Sequence, residues 1–177
     1  QWPVREDNNW MDLMTRNGVT NQIDVSARGG VGGVTYYFSA GAFEQEGNVK
    51  EQFFNRYSSR LNLTAQMTDR ISIANNLNVS YTDYNGINDG SAWEAPFYMA
   101  VFMPPVLPMY DDDGFWYHRH TNVMGANHPV GGLYENPKTK ETTRVINNLS
   151  GTYRFNDQFS INSALSFDIY NIDDYVY

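Results

Sequence analysis

Two long alternating segments, running from residue 56 to residue 84 and joined only by Thr68 and Asp69, constrain the fold more than anything else in the chain. Before the junction, Ser59, Leu61, Leu63, Ala65 and Met67 fall on one face of an extended backbone. Ser58, Arg60, Asn62, Thr64 and Gln66 fall on the other. After it, Ile71, Ile73, Leu77, Val79 and Tyr81 share a face that only Asn75 interrupts, and Ser72, Asn76, Asn78, Ser80 and Thr82 share the opposite one. This is a β-hairpin, apolar on one side and amide- and hydroxyl-rich on the other. Alternation alone fits a soluble sandwich as well as a barrel. Length separates them, because each segment keeps its period for about ten residues, the span of a tilted bilayer-crossing strand, where globular strands stop near five or six.

The same pattern recurs along the chain. Residues 20–28 alternate, with Ile23, Val25 and Ala27 against Asp24, Ser26 and Arg28. A glycine-rich turn over 29–33 leads to a second strand over 34–44, with Tyr36, Phe38, Ala40 and Ala42 on one face. Val145, Leu149, Gly151, Tyr153 and Phe155 mark a fifth strand, and Phe159, Ile161, Leu165, Phe167 and Ile169 a sixth, with a tight turn at Asn156 and Asp157. Leu63, Ile73, Leu77, Leu165 and Phe167 are therefore expected to meet lipid, and Asn62, Asn76, Asn162 and Ser166 a wet lumen. Aromatic residues gather at strand ends, as in the girdles of membrane barrels.

Connections alternate between short (29–33, 68–69, 156–157) and long (45–52, 85–143), the asymmetry of outer-membrane barrels. On that pattern the strand at Thr20 descends, so an upward strand is expected before it. Six strands would also leave unpaired edges in lipid, so the chain is expected to be an internal fragment without a leader sequence. A short helix is expected around Trp10, Leu13 and Met14, capped by Asp7 or Asn8 and closed by Gly18. Within 85–143, Ser91 and Glu94 have capping-box spacing for a helix reaching Phe102, which Pro104 and Pro105 end.

Composition narrows the function classes. A net charge of −8 without a basic stripe argues against nucleic acid. No apolar run approaches the roughly 18 residues of a spanning helix, and the mean hydropathy is −0.54, but barrel strands hide their lipid face in alternation. The absence of cysteine excludes a disulfide scaffold.

The chain resembles the SusC/RagA-like TonB-dependent transporters of Bacteroidetes outer membranes in several stretches. These are Asn9-Trp10-Met11-Asp12, Ser26-Ala27-Arg28-Gly29-Gly30, Tyr36-Tyr37-Phe38-Ser39-Ala40-Gly41, and Phe43-Glu44-Gln45-Glu46-Gly47-Asn48-Val49. The likeness continues in Arg56-Tyr57-Ser58-Ser59-Arg60-Leu61-Asn62-Leu63, in Met103-Pro104-Pro105-Val106-Leu107-Pro108-Met109-Tyr110 followed by Asp113-Gly114, and in Asn136-Pro137. The resemblance implies an all-β fold in which residues 1–177 supply about six antiparallel strands of a plugged transmembrane barrel of roughly 22. It implies import of oligosaccharides or peptides, a SusD-like surface lipoprotein as lid, and contact with TonB through a plug segment outside this chain.

The long connection over 85–143 is expected to be an extracellular, partly helical loop. Its Trp93, Phe97, Tyr98, Trp116, Tyr117, His118 and His120 are the candidates for substrate or lid contact, through ring faces and hydrogen bonds. The alternative for the same rings is that they pack the loop on itself. His118 and His120 are spaced to chelate a metal, with His128 near in sequence, but a solvated loop is the preferred reading. Asp111, Asp112, Asp113 and Gly114 look like the start of a calcium loop whose later ligands are missing, so a reverse turn between Tyr110 and Phe115 is expected. Asn62-Leu63-Thr64, Asn78-Val79-Ser80 and Asn148-Leu149-Ser150 match the glycosylation pattern but sit inside strands, as by-products of alternation. No catalytic set stands out, so neither enzyme activity nor a cofactor or metal is expected. A secreted β-sandwich binding module and a passive porin remain the alternatives.

Overall fold

The computed structural model describes residues 7–87, 95–117, 128–135 and 137–176. Six strands, β1 (Thr20–Val31), β2 (Val34–Glu46), β3 (Phe53–Gln66), β4 (Ile71–Gly86), β5 (Lys138–Arg154) and β6 (Ser160–Val176), form one antiparallel meander in sequence order. Three short helices accompany it: α1 (Trp10–Met14), α2 (Pro96–Phe102) and α3 (Gly131–Glu135). Pairing runs one-to-one along every interface, so alternate residues keep one face from edge to edge.

The strands are longer than expected. β1 continues to Val31, because Gly29 and Gly30 pair with Tyr36 and Thr35 instead of turning. At Gly29 the Tyr36 phenol lies where a side chain would stand, 2.5 Å from an ideal Cβ, so the missing side chain makes room for that ring. The turn itself is only Gly32 and Gly33, both at positive φ (57° and 82°), which suits a two-residue hairpin. The Thr68 hydroxyl accepts from the N–H groups of Arg70 and Ile71, and Asn156 Oδ1 from those of Gln158 and Phe159, closing the other two hairpins. Residues 139–143 pair with 81–85, so the long connection spans 87–137 instead of 85–143. Alternation was hidden there because Thr139, Glu141 and Thr143 on one face oppose Lys138, Lys140 and Thr142 on the other, both polar.

Register makes the two faces explicit. One apolar row reads Val25, Ala40, Ser59, Val79, Val145, Ile169, and the next Ala27, Phe38, Leu61, Leu77, Asn147, Phe167. Two amides on this face, Asn75 and Asn147, exchange reciprocal side-chain hydrogen bonds at 3.2 and 3.3 Å and so satisfy one another. The apolar rows extend for about 25 Å along the barrel axis at ordinary strand rise and tilt, the height of a barrel's lipid band. Ile23 (68%), Leu165 (65%) and Val25 (59%) remain exposed, and among the described residues no second sheet covers them. That excludes sandwich packing among the described residues. No helix among the described residues is long and apolar enough to cross a membrane, which says nothing about strands.

The buried core lies at one end of the sheet. Trp10, Met14, Val49, Ala100, Met103, Leu107, Val130 and Leu133 form it. They come from α1, the β2–β3 connection and the β4–β5 excursion, so every long connection sits at this end and the three tight turns at the other.

Candidate functional site

The layer at the long-connection end assembles through backbone capture. Asn9, not Asp7 or Asn8, caps α1, its Oδ1 accepting from the Asp12 N–H at 3.4 Å. Asn8 is engaged elsewhere, donating its backbone N–H to Pro105 O and its side-chain amide to Leu107 O, both at 2.8 Å. Trp10 Nε1 donates to Pro104 O at 3.1 Å. Prolines lack N–H groups but keep their carbonyls, so the run that ends α2 becomes a row of acceptors for α1. α1 itself ends at Met14, with Thr15 as its C-cap, before Gly18. Arg16 then ties in the β2–β3 connection, donating to Gly47 O (3.2 Å) and Gln52 O (3.0 Å), and Asn85 Nδ2 donates to Glu51 O at 2.7 Å.

α2 starts with Pro96 at its first turn, where the missing N–H costs nothing, and stops ahead of Pro104 and Pro105. Met99 and Ala100 face the core. Tyr98 (39%), Val101 (71%) and Phe102 (49%) lie at i, i+3 and i+4 on the exposed face, with the Tyr98 and Phe102 rings 4.5 Å apart. The reverse turn expected between Tyr110 and Phe115 is present. Asp111 Oδ1 accepts from the N–H groups of Asp113 and Phe115, Gly114 takes φ 83°, and Tyr110 bridges Trp116. The Asp111 carboxylate thus serves the backbone, as in an Asx-turn. Among the described residues no cluster of three metal-ligating side chains occurs.

Trp116 is the hub of the excursion. It stacks on Tyr110 (4.8 Å) and Tyr134 (5.7 Å) and lies 5.4 Å from His128, which meets Trp10 edge-on at 5.2 Å. His128 is buried, its Nδ1 accepting from the Gly131 N–H at 2.9 Å. Gly131 sits under the Trp116 ring, 2.9 Å from an ideal Cβ to Cγ, so only glycine fits there. Burial, with Glu51 adding to it, raises the Tyr134 phenol above its ordinary value.

The candidate residues divide accordingly. Phe97, Trp116 and Tyr117 pack against the core, and Tyr98 lies on the exposed face. Trp93, His118 and His120 lie outside the described residues. Exposed Val101, Phe102, Tyr110 and Phe115 were missed as candidates. Helical spacing from Tyr98 would have found the first two.

An antiparallel meander with an apolar outer band, a polar inner face and all long connections at one end is the wall of a transmembrane β-barrel. No protein-family model matches the chain. It is 31% identical over 172 residues, 93% of its length, to TonB-dependent receptor P26 of Formosa agariphila, and 29% identical over 141 residues to TonB-dependent receptor P39 of that organism. It spans only 16% and 13% of those relatives. Two RagAB structures share its fold. A RagAB peptide transporter superposes with TM-score 0.74 and 22% identity, covering 96% of this chain and 20% of that one. The importer in its open-open state gives TM-score 0.71, also at 22% identity, covering 94% and 19%. The chain is similar to a segment of these TonB-dependent receptors, and its six strands share the barrel-wall fold of the RagAB structures.

Proposed function

We propose that the chain supplies early barrel strands and part of the outer mouth of a TonB-dependent importer of oligosaccharides or peptides. It would work with a SusD-like lipoprotein lid, and with TonB through a plug segment elsewhere in the full protein. The observation that carries this reading is the union of α1, the β2–β3 connection and the β4–β5 excursion into one folded layer at the end opposite the tight turns. In a barrel with short periplasmic turns that layer is extracellular, where an imported oligomer and a surface lid would meet it. Its exposed Tyr98, Val101 and Phe102 stripe offers the lid an apolar contact.

The test compares uptake of labelled oligosaccharides and peptides by cells with and without the intact gene. Loss of uptake of one class on deletion is expected, and unchanged uptake of all of them removes the importer reading. Passive entry through a porin predicts uptake that persists when TonB is deleted. Labels attached near Phe115 should react from the cell surface; reaction only from the periplasm inverts the topology.

A further inference from the structure

The strand residues are segregated by charge in a way that the overall acidity conceals. On the outward face, register places carboxylates only: Glu44, Glu46, Asp83, Glu141 and Asp173. Every strand lysine and arginine lies on the inner face. Arg56, Arg60, Lys138, Lys140 and Arg144 occupy the half nearer the mouth, and Arg28 and Arg154 the half nearer the turns. Seven cations thus stand against three inner-face carboxylates, Asp24, Asp168 and Asp174. The wall's inner face carries a surplus of four positive charges in a chain whose net charge is −8.

This surplus is not neutralised within the wall. Arg144 holds Asp168 through two hydrogen bonds of 2.6 and 3.0 Å, the one ion pair on this face among the described residues. Arg56 lies over the Phe43 ring at 5.5 Å, and Arg60 stands exposed opposite Asn78. The guanidinium groups of β3 therefore flank β4, whose inner face in this half offers Asn78, Ser80, Thr82 and Tyr84 and no carboxylate. Beside them Asn62, Asn76 and Asn148 form one cross-strand row with Ser166, whose hydroxyl donates to Asn148 at 2.5 Å. A guanidinium fork matches a carboxylate or sulfate, and side-chain amides both donate to and accept from hydroxyl groups. A cationic wall also concentrates anions at its mouth.

We infer that the imported solute is an anionic oligosaccharide bearing carboxylate or sulfate groups, guided by Arg56 and Arg60. The inference rests on the importer reading and adds the chemical class of its substrate. The test uses the full-length receptor in detergent, with its lipoprotein partner. It measures binding of oligogalacturonate against its methyl ester, of a sulfated galactan oligosaccharide against its desulfated form, and of oligoglutamate. At least one anionic glycan should bind about tenfold more tightly than its neutral match, with the preference shrinking as salt rises. Arg56→Gln/Arg60→Gln should bring the pair to within about threefold of each other, and Arg56→Lys/Arg60→Lys should keep most of the preference. If the glutamine variant fails to fold, the salt dependence of the unmodified receptor decides the same question.

Equal binding within every pair overturns the inference, as does a preference that survives in a folded glutamine variant, since these cations then serve contacts within the receptor. Tightest binding of oligoglutamate overturns the glycan class. If neutral oligomers are imported as well as anionic ones, the importer stands and this inference falls. If deletion of the gene changes no uptake, the importer reading itself fails.

Discussion

The wall and the mouth layer obey different rules of assembly. In the wall, each residue's environment follows from its parity: odd or even along a strand decides lipid or lumen, and the neighbouring strand repeats the decision at a registered position. In the mouth layer, position in sequence says little, because Asn8 is held by Pro105 and Leu107, and Trp10 by Pro104, across nearly a hundred residues. A periodic structure tolerates change that respects its parity. A layer built from single long-range contacts has hubs, and loses order when one is removed.

The largest expected effect tests parity. Leu165→Arg places a charge in the middle of the apolar band and should cost about 2–4 kcal/mol. Asn162→Arg, on the wet face, should cost under about 1 kcal/mol even though it removes the hydrogen bond from Asn162 to Thr152. Urea unfolding of the receptor in lipid vesicles measures both, and equal costs would contradict the assignment of faces.

Next comes the hub. Trp116→Ala removes the ring between Tyr110 and Tyr134 and should loosen the mouth layer by about 2–3 kcal/mol, less than a fully buried tryptophan because this one is only half-buried. Limited proteolysis should then cut within residues 95–135 while barrel assembly is retained. Loss of assembly instead would mean that wall and layer fold as one unit.

The Asn75–Asn147 pair is the wall's own exception to parity, and a smaller effect is expected there. Asn75→Leu or Asn147→Leu alone leaves one amide facing hydrocarbon and should cost about 1–2 kcal/mol, whereas the double substitution should recover most of it. A double-mutant cycle reads this coupling, and additive costs would show that the two amides act separately.

The same contrast explains what the sequence revealed. Ile71 to Tyr81 and Phe159 to Ile169 announce strands because one side is hydrocarbon and the other water, so each residue type reports its side. The signal fades at the rim, where Thr139 and Glu141 face one way and Lys138 and Lys140 the other and both are wet, which hid the first residues of β5. The excursion's helix end was legible from Pro104 and Pro105, and its turn from Asp111 and Gly114, because those residues restrict their own backbone. The Trp116 stack was not, since nothing local distinguishes a tryptophan that meets a ligand from one that meets Tyr110 and Tyr134. Asn8 as a tether is equally silent in sequence, as its partners are carbonyl groups that every residue possesses.

Tyr98 supplies the finest test, because it belongs to the mouth layer without being a hub. Its ring lies on the exposed face of α2 against Phe102, away from Met99 and Ala100, which face the core. Tyr98→Ala should therefore shift stability by no more than about 0.5 kcal/mol, as for other surface changes. If the α2 stripe is the lid contact, the same substitution should weaken binding of the lipoprotein severalfold, and Tyr98→Phe should retain most of it, because the contact is apolar. Binding to the purified lipoprotein, measured beside the protease sensitivity of residues 95–135, separates the two roles. Weakened binding with unchanged protease resistance places Tyr98 in the interface, while weakened binding that appears only when the layer loosens assigns it to packing, as for Trp116.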